Sequence, residues 1–368
     1  MASSGTPIDR FFLISVSILT LAGFVIFLSA SLGLLAQNGA NFGTVALKQA
    51  ASLILGIAAF FFFSRVKYAW LRKSALFILL GAIGVNLLLF IPSLTLHFNG
   101  ATRWLSFGFL TFQPSELLKI AFIIYLAAWI QFAKDRLKTF KFGLVPFIVI
   151  LGILSALLLA QSDTDTLVII AATGIVMLWI GGMPIRHIFL SGLAMGLIVL
   201  GVLYFRPYAL QRVQTFLNRG SDTQGAGYQI NQSLIAIGSG QVFGRGFGQS
   251  IQKFGYLPQP TDDSIFAVAA EEFGFFGSVV LLILYVLLAV SVFRVATRAP
   301  DAFGGSLAAG IGILIIIESF LNIAAMLGLV PLSGVPLLFV SHGGTALIIT
   351  LVAMGMVANV SKYSKISP

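Results

Sequence analysis

Apolar residues run in ten long stretches along the chain, and polar residues gather almost entirely between them. A helix needs about 20 mostly apolar residues to cross the hydrocarbon core of a bilayer. Stretches of that kind fall near 11–35, 44–64, 74–92, 115–133, 142–160, 165–182, 186–205, 265–293, 304–329 and 338–360. They predict an all-α polytopic membrane protein of ten transmembrane helices in a single domain over 1–368. The sixth and seventh are separated only by Gly182-Met183-Pro184-Ile185, which requires a tight hairpin. The first ends in Ala36-Gln37-Asn38 without a small-residue cleavage signal, so it reads as a retained helix.

The basic residues orient these helices. With the N-terminus cytoplasmic, that face holds Arg10, Arg65, Lys67, Arg72, Lys73, Lys134, Arg136, Lys138, Lys141, Arg186, Arg294, Arg298, Lys362 and Lys365. The short outward loops hold only Lys48 and Arg103. An even number of spans puts both termini in the cytoplasm. The connection at 206–264, between the seventh and eighth spans, is the large extracytoplasmic loop. Long loops in compact proteins are usually functional. Gly220, Gly225, Gly227, Gly238, Gly240, Gly244, Gly246 and Gly248 punctuate it, and residues 231–237 predict a short interfacial helix.

Composition agrees with a lipid environment and narrows the chemistry. The chain is 58% hydrophobic and 9% charged, far below the roughly 25% charge of a soluble domain. Its net charge of +10 is spread in short clusters between apolar stretches, which reads as a membrane face and not as a nucleic-acid surface. With no cysteine and only His97, His187 and His342, neither disulfides nor a zinc site is expected. His97 and His187 read as interfacial, and His342, beside Gly343-Gly344, as a hydrogen-bonding residue within the bundle.

Ionisable residues inside a membrane are costly and call for an explanation. Glu116 and Lys119 lie three apart on one helix face, where they can pair. Gln113-Pro114-Ser115 starts that helix and sets Glu116 at its positive end. The pair is either a self-neutralising structural element or the lining of a polar cavity in which Lys119 meets an anionic substrate. Asp163 and Asp165 begin the sixth span. Asp262 and Asp263 follow the rigid Leu257-Pro258-Gln259-Pro260 and enter the eighth. One of them suffices to cap that helix; a carboxylate at the outer surface can also act as a general base or hold a divalent cation. Glu271 and Glu272 point 100° apart, so one is expected to pair with a basic group and the other to lie near an interface. Glu318 reads as a buried pairing partner.

Six blocks in order carry a resemblance. They are Gly100-Ala101-Thr102-Arg103-Trp104, Phe112-Gln113-Pro114-Ser115-Glu116-Leu117-Leu118-Lys119, Gln161-Ser162-Asp163, Ile237-Gly238-Ser239-Gly240 to Gly246, Asp263-Ser264-Ile265-Phe266-Ala267 with Glu271-Glu272, and Pro331-Leu332-Ser333-Gly334 to Thr345. Together they resemble the SEDS family (shape, elongation, division and sporulation), which includes FtsW, RodA and SpoVE, over nearly the whole chain. Gly248-Gln249-Ser250-Ile251-Gln252-Lys253 is similar to the FtsW/SpoVE branch more than to RodA-like members. Departures are Ser162 and Asp165 in the family's Q-P-D-x-G-T, Gln259 for a common Glu, Leu337 for Pro, and Asp262-Asp263-Ser264 where T-D-F is common. Alignment on Ile265-Phe266-Ala267 sets the family's functional aspartate at Asp263.

The resemblance implies a peptidoglycan glycosyltransferase in a bacterial cell membrane, with its active site on the extracytoplasmic side. Such an enzyme polymerises lipid II through β-1,4 bonds and releases undecaprenyl pyrophosphate, here in septal wall synthesis. It implies Asp263 as the catalytic base, with Arg103, Glu116, Lys119, Asp163, Arg212 and Lys253 as substrate-binding residues. A divalent cation, Mg or Mn, on Asp262 and Asp263 is an open expectation, and no organic cofactor is expected. Implied partners are the bilayer, a class B penicillin-binding protein and other divisome proteins, with no nucleic acid. Rival readings are a RodA-like elongation polymerase, a lipid II flippase, against which stands the lack of internal repeats, and a scaffold that recruits a transpeptidase.

Overall fold

The computed structural model describes residues 7–36, 42–98, 101–107, 110–218 and 225–363. Of the positions singled out above, Gln37, Asn38, Gly100, Gly220 and Lys365 lie outside the described residues, as does the side chain of His97.

The chain forms a bundle of helices: α1 (Arg10–Ser31), α2 (Phe42–Phe63), α3 (Tyr68–Lys73), α4 (Ala75–Leu87), α5 (Pro114–Ala133), α6 (Val145–Ala160), α7 (Thr164–Ile180), α8 (Ile185–Phe205), α9 (Pro207–Leu217), α10 (Ala226–Ser239), α11 (Ile265–Thr297), α12 (Ala302–Met326) and α13 (Gly344–Ser361). Among the described residues, eight helices are long and apolar enough to cross a membrane. Two expected spans, 74–92 and 165–182, fall on shorter apolar helices, Ala75–Phe90 and Thr164–Ile180. Large apolar side chains such as Phe62, Phe77, Leu197 and Phe205 stand exposed on the outside, while α12 and α13 are buried at the centre. That is the inverse of a water-soluble helix bundle and suits lipid as solvent.

Side-chain contacts gather the connections at two ends. At one, Asp9 meets Arg294 (3.9 Å), Arg72 meets Asp301 (3.7 Å), and Asn359 Oδ1 accepts from the Tyr68 backbone (3.1 Å). At the other, residues 101–107, 161–165, 206–218, 225–264 and 331–343 converge.

Three differences from the expected elements bear on that second end. Residues 95–112 hold a three-stranded antiparallel sheet, β1 (Thr95–Phe98), β2 (Ala101–Phe107) and β3 (Leu110–Phe112), where the hydropathy pattern shows only a short loop. The last span starts at Gly344 instead of 338. Residues 331–343 run irregularly because Pro336 lacks an N–H and Phe339 has a positive φ of 68°. The eighth span is broken: Gly274 adopts φ 67°, ψ −164° within α11.

This break is supported by the long connection. The helix interior loses its own hydrogen bonds at Gly274, and residues 241–246 supply replacements. Phe275 and Phe276 N–H groups donate to Gln241 O (2.8 Å) and Val242 O (3.0 Å), while Arg245 and Gly246 donate to Glu271 O (3.0 Å) and Glu272 O (2.9 Å). The expected interfacial helix at 231–237 lies within the longer α10, and α9 is an additional amphipathic helix.

Candidate functional site

Arg103 owes its direction to a defect in the sheet. In the β1–β2 ladder Leu96 faces Trp104 and His97 faces Thr102, so Arg103 is the extra residue of a bulge. Bulges re-aim side chains, and this one turns Arg103 toward the α6–α7 connection. There Arg103 Nη2 donates to Ser162 O, and Nη1 lies 3.7 Å from Asp163 and 3.9 Å from Asp165. Asp163 caps α7, accepting from Thr166 N at 3.4 Å. Arg212 on α9 reaches Asp165 at 3.1 Å. Two guanidiniums and two carboxylates therefore meet at this end.

A single segment joins this group to Asp263. Gly334 N donates to Asp165 Oδ2 (3.4 Å), and the next residue, Val335, accepts through its carbonyl from Asn322 Nδ2 (2.8 Å). The same amide donates to Asp263 O, also at 2.8 Å. Asp263 is fixed by its backbone, while its Oδ1 is buried without a hydrogen-bond partner. Burial first, then the neighbouring Asp262 charge, pushes its carboxyl up to about 7, against the pull of a Gln229 hydrogen bond and of Arg212. Arg103 Nε, Asp163 Oδ2 and Ser333 Oγ are likewise buried and unpartnered. Buried polar atoms with unused bonding capacity call for a partner, and four of them gather at this end of the bundle.

The remaining sequence-derived candidates make other contacts. Lys119 is buried within the bundle, bridging Glu116 (2.9 Å) and Glu318 (2.7 Å). Lys253 is wholly buried; it donates to Glu272 (2.7 Å) and to Ser29 O (3.0 Å). Both amines form their ion pairs with these carboxylates and none with Asp163 or Asp165. Glu271 and Glu272 are both buried, contrary to the expectation that one lies near an interface. Glu271 accepts from Ser250 Oγ and from the Ile251 (3.1 Å) and Gln252 (3.2 Å) N–H groups, with Arg245 3.4 Å away. His187, in the first turn of α8, is buried against Phe140.

Residues that sequence reasoning passed over complete the site: Asn322, Gln229 and Ser333. Asn322 was detectable as a polar residue in an apolar helix; the other two carry no such signal. For a metal, Asp262 and Asp263 supply adjacent carboxylates. Among the described residues, no group of three or more His, Asp or Glu side chains could hold an ion. Two carboxylates, one of them facing His342 (3.4 Å), supply only part of a hard cation's oxygen shell, and Mg²⁺ completes such a set with waters and substrate phosphates.

The family of cell cycle proteins comprising FtsW, RodA and SpoVE matches residues 9–366. The chain belongs to this SEDS family. Among its relatives, a probable peptidoglycan glycosyltransferase FtsW of Geobacter sp. (strain M18) is 39% identical over 358 residues, covering 96% of each chain. Stage V sporulation protein E of Bacillus subtilis (strain 168) is 36% identical over 311 residues, 84% of this chain and 85% of that one. Within the SEDS family the sequence is of FtsW type. The fold is shared with the crystal structure of Thermus thermophilus RodA (TM-score 0.68, 24% identity, 96% of both chains). It is also shared with a chain solved for the structural coordination of polymerization and crosslinking by a peptidoglycan synthase complex (TM-score 0.79, 24% identity, 97% of this chain and 99% of that one).

Proposed function

We propose that this SEDS protein is a peptidoglycan glycosyltransferase that polymerises lipid II on the extracytoplasmic side of a bacterial membrane, in septal wall synthesis. The observation that carries the reading is Asp263: a carboxylate with one sealed, unpartnered oxygen beside a group of paired arginines. In glycosyl transfer the 4-hydroxyl of the acceptor sugar attacks the anomeric carbon of the lipid-linked donor. Its proton passes to Asp263 as the new C–O bond forms. The bond to the pyrophosphate breaks, and undecaprenyl pyrophosphate departs with the electron pair. A single displacement converts the donor's α linkage to β without a covalent enzyme intermediate.

Arg103 and Arg212 suit the role of stabilising the pyrophosphate charge, because both lie at the Asp263 end and both remain partly exposed. Asp163 and Asp165 hold those guanidiniums in place. Glu116 with Lys119, and Lys253 with Glu272, have the architecture of internal supports. The apolar groove between α6 and α8, lined by Gly152, Leu159, Ile198 and Val202 with Arg206 at one end, suits a polyprenyl chain whose headgroup stays at the surface. The alternation of connections between two ends supports ten crossings with both termini cytoplasmic. FtsW-type membership supports work alongside a class B penicillin-binding protein and other divisome proteins.

The test is polymerisation of lipid II by the purified chain in proteoliposomes, with glycan strands resolved by gel. Wild type is expected to make strands and Asp263→Ala to make none while melting as a folded protein. Full polymerisation by Asp263→Ala would reject the base assignment. Lipid movement across the bilayer without strand formation would favour a flippase instead.

A further inference from the structure

Asp262 and Asp263 are consecutive, yet they divide. Asp263 turns an oxygen inward, whereas Asp262 faces the His342 imidazole, Oδ1 to Nδ1 at 3.4 Å. Both side chains of this second pair are open to solvent, Asp262 by 40% and His342 by 33%.

The pair is not needed to splice the two segments it spans. The backbone already does so: His342 N donates to Thr261 O at 2.7 Å, and Ser341 Oγ donates to Asp262 O. The imidazole is held in one plane by stacking on Phe27, with ring centres 5.7 Å apart and planes 18° apart. At 3.4 Å the contact with Asp262 is longer than a good charge-assisted hydrogen bond. The outer carboxylate oxygen and the second ring nitrogen are therefore available together. A carboxylate oxygen and an imidazole nitrogen side by side, the ring held in plane by Phe27, can bond the hydroxyl and acetamido groups on adjacent carbons of a sugar ring.

We infer that Asp262 and His342 form a saccharide contact beside Asp263, gripping a sugar of the lipid-linked substrate by its hydroxyl or acetamido groups. This rests on the reading of the chain as an enzyme of lipid II. The contact orients the sugar and leaves the pyrophosphate to the arginines.

The experiment measures equilibrium binding of two lipids to the full chain in nanodiscs. One is lipid II; the other is undecaprenyl pyrophosphate, which has no sugar. Asp262→Ala removes the acceptor, and His342→Phe removes the ring nitrogens while keeping the stack on Phe27. Each is expected to weaken lipid II binding about tenfold, the scale of one or two lost hydrogen bonds. Undecaprenyl pyrophosphate should bind within about twofold of wild type. Unchanged lipid II affinity, or equal weakening toward both lipids, would overturn the inference. Sugar-dependent binding by a wild type that makes no glycan strands would uphold the pair and reject the proposed activity. Strand formation with no dependence on the pair would do the reverse.

Discussion

Gly244 and Gly274 stand backbone against backbone: a Cβ on Gly274 would overlap the backbone nitrogen of Gly244, and one on Gly244 would overlap Glu272 O. Both have positive φ, 81° and 67°. The long connection therefore clamps α11 at its break, and the half-helix on the far side of that break begins two residues after Asp263. Gly274→Ala is expected to cost at least about 1–3 kcal/mol from the backbone conformation alone. It should lower the melting temperature in detergent and, by shifting the half-helix, abolish polymerisation. A variant that melts and polymerises as wild type does would show that the clamp is unimportant.

The raised carboxyl of Asp263 fixes the direction of two pH dependences. A general base must be ionised, so kcat/KM for lipid II should climb as pH rises through about 7. Asp262 contributes to the raised value, so Asp262→Asn should move the climb to lower pH. Stability runs the other way. The group titrates at 3.8 when unperturbed and at about 7 in the fold, so between those values the folded state binds more protons than the unfolded state. Stability should fall as pH rises across that window, and Asp263→Asn should flatten the fall in a melting series.

Lys253 and Glu272 are both almost wholly buried, so removing either leaves the other charge unpaired. Lys253→Met or Glu272→Gln alone is expected to destabilise by about 3–5 kcal/mol, and the double variant by less than either. A melting-temperature cycle measures this. Folded Lys253→Met should still bind lipid II with wild-type affinity; a loss of affinity would return Lys253 to the substrate site.

Arg103 meets three acceptors with one planar fork: Ser162 O, Asp163 and Asp165. Arg103→Lys keeps the charge and loses the fork. If one or two charged hydrogen bonds are lost, kcat/KM should drop about ten- to hundredfold. Activity equal to wild type would mean that position 103 needs charge alone.

The sequence by itself determined the membrane environment and the apolar helices, because hydropathy over about 20 residues is a local property of the chain. It also determined the start of α5 at Pro114, through Gln113-Pro114 and the acid in the first turn, and the pairing of Glu116 with Lys119 one turn away. Its ordered motifs carry the SEDS family signature on their own. Tertiary structure decided what distant residues do to one another. Lys119 meets Glu318 199 positions away, and Lys253 meets Ser29 224 positions away; no local spacing encodes either. The bulge that aims Arg103, the break at Gly274 and the division between Asp262 and Asp263 are likewise set by partners from other elements. A lone charged residue reads the same whether it is a support or a ligand, and only its neighbours in space separate the two.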